Sequence, residues 1–416
     1  MRLLQSTFLL FLFITPFIFS NEKYDSSKTV NDQFIDVYID CNYCDIDYIR
    51  TEISFVNYVI DRKNADLHIL VTHQTTGSNG REYTLTFFGK RKFKSDNDTI
   101  KFFTQQDDTD DDRRKQLVKY LKFGVIKYIA ETDVAKSISI NYDAPKTNDK
   151  VVDNWDYWVF RTRLRGFFNG EESYQYKYMN GSININRITE DWKLRFKAGT
   201  NYNEQVFSFG DNEITNISRG NYSHVTLVKS VSEHWSAGFT GRVDNSSYSN
   251  YKLRTQFYPA IEYNIHPYSE STRKILRFLY RVGYTYAKYN EETIYNKMEE
   301  GNFKQSLEVV LKLKQPWGTV ETTLEGSNYF YDFSKNRLSL YLELSLKLFK
   351  GFTLDINGGY TMIHDQLNLP KSDISDEDIL LQRRQMETQY NYWGSVGISY
   401  TFGSIYNNIV NPRFGN

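Results

Sequence analysis

The sequence predicts a mainly β chain: an antiparallel transmembrane β-barrel of about 12 strands, preceded by a small periplasmic α+β domain. Three observations carry this. An apolar export segment opens the chain, and no later run is long enough for a spanning helix. Near residue 155 helical spacing gives way to strict alternation. About twelve long alternating segments then follow.

The export segment reads MRLLQSTFLLFLFITPFIFS. Arg2 supplies the positive charge, Leu9 to Phe19 the apolar stretch, and Ser20 a small residue before cleavage. Residues 1–20 therefore read as a signal peptide. Pro16 and the shortness of the run argue against an anchor helix. No cysteine follows directly, so no lipid anchor is expected there. With no later span of roughly 18 apolar residues, a membrane-crossing form must be a closed barrel, because lipid leaves backbone polar groups no other partner.

Composition agrees with an interface protein. Apolar residues make up only 40% of the 416, yet aromatics reach 16%, with 33 tyrosines. Few aliphatics and many amphipathic rings suit a thin apolar skin edged by interfacial aromatics. Lys plus Arg and Asp plus Glu both number 51, so the net charge is zero. That balance gives no electrostatic reason for a nucleic-acid partner.

Residues 27–145 form the first domain. Strands are expected at Phe34 to Ile39, Leu67 to Val71, Tyr83 to Phe88, Ile100 to Phe103 and Ile138 to Tyr142. A helix is expected over Ile46 to Val59, with Ile49, Ile53, Val56 and Ile60 spaced for one face. A second helix follows DDTDDD, burying Leu117, Leu121, Val125 and Ile129. Asp110 to Asp112 favour its positive N-terminal end. The same acidic run lacks the Gly turn and terminal Glu of a calcium loop. The predicted order is β-α-β-β-β-α-β. His68 and His73 are five apart on one strand, so they face opposite sides and receive no metal role.

Cys41 and Cys44 stand between a strand and a helix. Export permits a local disulfide. The spacing also matches thioredoxin-type redox motifs, but nothing else of that signature appears, and a structural turn is preferred. Two cysteines without a nearby histidine do not complete a zinc site. No metal and no cofactor are expected. Residues 146–154, beginning KTNDK, read as a linker.

Residues 155–402 are the barrel. In RLSLYLELSLKLF, Leu338, Leu340, Leu342, Leu344, Leu346 and Leu348 share one face, opposite Ser339, Tyr341, Glu343, Ser345 and Lys347. Such a run matches the roughly 9–11 residues of a tilted strand crossing a bilayer. The expected spans are 157–168, 174–187, 192–206, 220–230, 235–246, 251–265, 277–289, 303–315, 318–331, 337–349, 352–363 and 390–402. The connections alternate. One set is mostly short; the other includes long loops at 207–219, 290–302 and 364–389. That asymmetry is the pattern of outer-membrane barrels, with short periplasmic turns. The first domain enters at the short-turn end. Trp192, Trp235 and Trp317 mark that end as an aromatic belt. The loop DQLNLPKSDISDEDILLQRRQMETQ has a candidate short helix capped by Ser375. It reads either as a lid or as a solvated loop. Periodicity alone leaves open which face points inward.

The octet SVGISYTF, Ser395 to Phe402, places a polar residue, a Gly and two aromatics at fixed offsets. Ser395, Gly397, Tyr400 and Phe402 match each slot of the C-terminal signal of outer-membrane barrels. With the twelve segments, the mature chain resembles Gram-negative outer-membrane barrels carrying a periplasmic α+β domain. The resemblance implies recognition by the barrel-assembly machinery and contact with outer-membrane lipids. It brings no activity and no catalytic motif. Residues 403–416 read as a periplasmic tail past an internal signal.

A twelve-strand barrel is wider than those that side chains fill. Its polar face would be lumen, lined by Arg161, Arg163, Arg165, Arg195, Arg254, Arg277, Arg281, Glu308, Lys312, Glu325 and Glu343. The bias is basic, which favours anions, while the carboxylates allow mutual neutralisation in a closed interior. Two functions follow. One is a narrow diffusion channel for small, anion-preferred solutes. The other is a structural or assembly protein whose periplasmic domain binds an envelope partner. A phospholipase-like barrel enzyme needs an oriented triad. Only His224 lies well within a strand, so no enzyme is expected.

Truncation after Phe402 should leave assembly intact, whereas Phe402→Ala or Gly397→Asp should lower the yield of heat-modifiable folded protein. The opposite pattern would move the signal into the tail.

Overall fold

The computed structural model describes residues 33–140, 154–349, 351–371, 385–403 and 413. The signal peptide, most of the linker, the Ser375 cap and nearly all of the tail lie outside the described residues.

The first domain is a five-stranded sheet covered by two helices. Its elements are β1 (Asp36–Asp40), α1 (Ile46–Glu52), β2 (Asn57–Tyr58), β3 (Leu67–Thr75), β4 (Arg81–Gly89), β5 (Asn97–Thr104) and α2 (Asp110–Ile129). The strand order is β2-β1-β3-β4-β5. β1 runs parallel to β2 and β3, and the remaining pairs are antiparallel. α2 starts as its sequence requires. Thr109 Oγ1 accepts from the Asp112 backbone N–H at 3.1 Å, and Asp112 Oδ2 accepts from the Thr109 N–H at 3.0 Å. This reciprocal cap satisfies two N–H groups that the first turn leaves free. Leu117, Leu121, Val125 and Ile129 are all buried against Leu67, Ile69, Leu85 and Phe87.

Two expectations here need correction. The helix expected over Ile46 to Val59 stops at Glu52, and Asn57–Tyr58 becomes a strand. The run Phe55 to Ile60 is aromatic and β-branched, which favours a pleated edge. Asn57 N donates to Ile35 O and Val59 N to Val37 O, both at 3.0 Å. Tyr58 then turns its hydroxyl onto the free Ile53 carbonyl at the end of α1, at 2.9 Å. The closing strand expected at Ile138 to Tyr142 is not formed in its described part. Asp133–Ser137 is a 3-10 turn, Ile138 packs on the core from outside the sheet, and Ile140 is exposed.

The remainder is one antiparallel meander of twelve strands, each paired with the next. They are β6 (Trp158–Gly170), β7 (Tyr174–Ile188), β8 (Trp192–Phe209), β9 (Asn212–Ser230), β10 (Trp235–Ser246), β11 (Tyr251–Asn264), β12 (Lys274–Tyr289), β13 (Glu299–Gln315), β14 (Gly318–Tyr329), β15 (Asn336–Phe349), β16 (Phe352–Ile363) and β17 (Tyr390–Tyr400). The expected loop at 207–219 is instead the tip of a long hairpin. β8 and β9 stay paired up to Phe209 and Asn212, joined by Gly210 and Asp211. Gly210 has φ of 61°, a left-handed conformation that only Gly adopts without strain. The expected loop 290–302 likewise shortens, because β13 already begins at Glu299.

The sheet is rolled with its polar face inward. Lys193 of β8 and Ser339 of β15 line the same cavity, seven strands apart. The leucine face of β15 points out, with Leu338 and Leu340 each 41% exposed. Phe257 and Ile261 on β11, Leu307 on β13 and Ile183 on β7 are exposed as well. β6 and β17 are the edges of the sheet, and their outward residues are the barest, Val396 reaching 70% and Leu164 85%. Among the described residues no ladder joins β6 to β17.

Gly124 on α2 marks a tight contact in the first domain. A Cβ there would lie 1.9 Å from the Phe87 ring. Gly124→Ala should therefore destabilise this domain by about 1–3 kcal/mol through overpacking. Hydrogen exchange of α2 amides in the full chain reads the effect, and unchanged protection would contradict it.

Candidate functional site

The polar concave face holds the charged side chains singled out in the sequence, divided between two unlike walls. The main cavity, about 740 Å³, lies against β8 to β15. On β11 to β14 its charges are ion-paired. Arg277 lies 2.5 Å from Glu308 and 3.5 Å from Glu262. Arg281 lies 3.1 Å from Glu308 and 3.2 Å from Glu325. Glu308 and Glu325 stand directly opposite in register, an arrangement that repels unless a cation bridges it. Arg281 is that bridge. Lys312 pairs with Glu321 at 2.7 Å, and Arg254 with Asp244 at 2.9 Å. Glu343 accepts from the Tyr341 hydroxyl at 3.0 Å.

β6 to β9 form a wall of another kind. Arg161 faces Asn184, Asn184 faces Lys197, and Lys197 faces His224 across successive ladders. Arg163 and Arg195 point into the same second cavity, about 550 Å³, which no carboxylate lines among the described residues. Arg165 stands further along β6, exposed and opposite Asn180. Lys197 rests 5.3 Å from the Tyr222 ring centroid, a weak cation–π contact at an open site.

Both ends of the lumen are covered. At the short-turn end the first domain is seated on the barrel. Arg62 donates to the Pro316 carbonyl and, at 2.9 Å, to the Lys347 carbonyl. Lys347 Nζ lies 2.7 Å from Asp40 Oδ1 and donates to the Tyr38 hydroxyl at 2.9 Å. The Arg273 guanidinium lies 5.1 Å from the Phe88 ring centroid. The β3–β4 turn enters the mouth, where Gly77 packs on Ile188 and Thr75, Gly77 and Asn79 line the second cavity. At the other end the start of the long loop folds inward. Asp365 is buried, with Arg337 and Lys304 at 2.8 and 3.0 Å. Leu367 and Leu369 are buried beside it. Asn250 Nδ2 donates to the Asn368 carbonyl at 3.0 Å, and Thr293 bridges Pro370. Three connections are thereby tied together.

Sequence reasoning missed Arg337, Asp244 and Asp365. Arg337 lies in phase with Ser339 and Glu343, so alternation carried that signal. Asp244 is likewise in phase with Arg242. Asp365 sits in a loop, where no period exists to read. The seating of the first domain left no sequence signal, since its contacts join residues hundreds of positions apart.

Cys41 and Cys44 are joined as a disulfide with Cα atoms 5.6 Å apart, packed on the edge of the first domain's core. Tyr43 between them meets the His73 ring edge-on at 4.4 Å. Of the octet, Ser395 and Gly397 face inward opposite Asn357 and Asp355. Tyr400 and Phe402 are exposed, with ring centroids 5.5 Å apart. Among the described residues no cluster of three or more His, Cys, Asp or Glu is arranged to hold a metal.

No family model and no curated protein matches the chain. Among solved structures, the porin NanC in a rhombohedral crystal form aligns at TM-score 0.28 and 10% identity, covering 58% of this chain and 100% of that one. CdiB from Acinetobacter baumannii aligns at TM-score 0.28 and 7% identity, covering 88% of this chain and 73% of that one. Similarity this slight carries no argument about the present chain.

The seat contains a titratable pair. His68 Nε2 lies 3.3 Å from Asp40 Oδ2. Burial holds the His68 pKa below its ordinary value despite the pull of Asp40, so the ring is neutral at pH 7 and donates through Nε2. Burial works to raise the Asp40 carboxyl, but the His68 hydrogen bond and the Lys347 charge outweigh it and lower the pKa. Both groups bind protons more readily once unfolded, so their stabilisation is full above about pH 6.5 and declines on acidification. His68 loses its share first, and Asp40 follows as pH falls through its lowered pKa. Protection of β1 and β3 amides, corrected for intrinsic exchange, should be weaker at about pH 5 than at about pH 7.5. Equal or stronger protection in acid would contradict the assignment.

Proposed function

We propose that this chain is an integral outer-membrane β-barrel that forms a narrow, stoppered channel for small anionic solutes, with the first domain in the periplasm. The observation that carries the reading is the 740 Å³ polar cavity inside a rolled sheet whose outer surface is apolar. In water, each outward Leu or Phe would forgo about 1.5–3 kcal/mol of burial. In lipid that penalty disappears. The reading requires β6 and β17 to pair edge to edge in the bilayer, where unpaired backbone groups are costly. As the first and last of an even number they are antiparallel, so closure needs no crossover.

Charge placement supports the anion preference. The acidic residues of the β11 to β14 wall are engaged by arginines and Lys312, while the β6 to β9 wall keeps open cations. The covered ends favour a resting state of low conductance. A second reading, a barrel anchor whose domain binds an envelope partner, is favoured by the folded first domain with its own core, which a simple pore does not need.

Planar-bilayer recording separates the two. Native protein should give rare, small steps. Arg62→Ala with Lys347→Ala should unseat the domain and raise open probability at least several-fold, with chloride favoured over potassium. Silence in both proteins at high loading would remove the channel and leave the anchor.

A further inference from the structure

We propose that the cavity between the β3–β4 turn and strands β6 to β9 is a binding site for a small oxyanion of the phosphate or carboxylate class. The argument rests on charge and geometry. Arg161, Arg163, Arg195 and Lys197 converge on this space of about 550 Å³, and none of its lining residues is acidic. Among the described residues none of these four cations has a carboxylate within 4.0 Å. Across the lumen Arg254, Arg277, Arg281 and Lys312 each have one. Both walls alternate in the same way, but Glu262, Glu308 and Glu325 line the first cavity and no acidic residue is among those lining the second. The contrast is one of partners.

Four like charges on one wall repel each other, and the low-dielectric wall behind them strengthens that repulsion. An anion in the cavity relieves it, and the same field concentrates anions from solution. Three of the four are arginines, whose planar fork matches two oxygens of one oxyanion. Asn184 and Asn186 add amide donors between them, and Asn79 closes the space from the domain side. The ligand would thus be gripped from the barrel while touching the domain that stoppers it. The inference deepens the channel reading by naming the class of solute. It is measured as equilibrium binding, so it stands or fails apart from conduction.

The full chain in neutral detergent is titrated calorimetrically with pyrophosphate and, separately, with citrate, against sodium chloride of equal ionic strength. Saturable binding of one equivalent is expected for at least one of the two, and the tighter one identifies the class. Arg163→Gln with Arg195→Gln should weaken binding by about tenfold or more, the loss expected for charge-assisted contacts. Arg163→Lys with Arg195→Lys keeps the charge and should recover part of the affinity, which separates ligand contact from misfolding. Lys312→Gln, on the paired wall, should stay within about twofold of native protein. No saturable heat above the chloride control would overturn the proposal. So would equal weakening by Lys312→Gln, which would mean that the lumen attracts anions without a site.

Discussion

The structure depends on one constraint: successive side chains of a strand point to opposite faces, so a sheet rolled on its polar side must be apolar outside. β15 shows it most plainly. Its leucines cannot be turned inward without turning Ser339, Glu343 and Lys347 outward. The ladder hydrogen bonds from β6 to β17 fix this choice in every strand at once, because a slip of one residue in any register would invert that strand's faces. A soluble fold would bury the apolar side and wet the polar one. Here the opposite arrangement stands, and the polar interior, the paired arginines and the covered mouths all follow from it.

An inward polar face must also solve its own electrostatics. On β11 to β14 it does so by interleaving, with Arg281 between two carboxylates that would otherwise face each other unshielded. Asp244 and Asp365 perform the same task for Arg254 and Arg337. Among the described residues Arg161, Arg163, Arg195 and Lys197 on the β6 to β9 wall have no such partners, and it is the wall that the β3–β4 turn approaches. The domain's seat is itself polar, built from Arg62 on two carbonyls and Lys347 between Asp40 and Tyr38. Contacts of this kind are exchangeable with water at modest cost, which suits a stopper better than a permanent apolar interface would.

Much of this was legible in the sequence because alternation is local information. Apart from β9, which begins well before its expected start, the barrel strands were readable to within a few residues, and the inward positions of Arg277, Glu308 and Glu343 follow from phase alone. Errors arose where tertiary pairing overrides local pattern. The residues after Glu52 keep helical spacing, yet Asn57 and Tyr58 find open backbone partners on β1. Residues 207–219 contain Gly, Asp and Asn, which signal a loop, yet most of them extend a hairpin around one Gly. The sequence also supplied the lumen charges without saying which are neutralised. That property depends on diagonal neighbours such as Arg281 and Glu325, two strands apart, which no single segment reveals.

The central claim is that the apolar face of the rolled sheet meets lipid. Spin labels placed one at a time along Arg337 to Leu348, in protein reconstituted into lipid vesicles, test it directly. Collision with dissolved oxygen, which concentrates in lipid, should be high at Leu338, Leu340, Leu342, Leu344, Leu346 and Leu348. It should be low at the intervening positions, which face the lumen. An inverted pattern, or no alternation at all, would contradict the account.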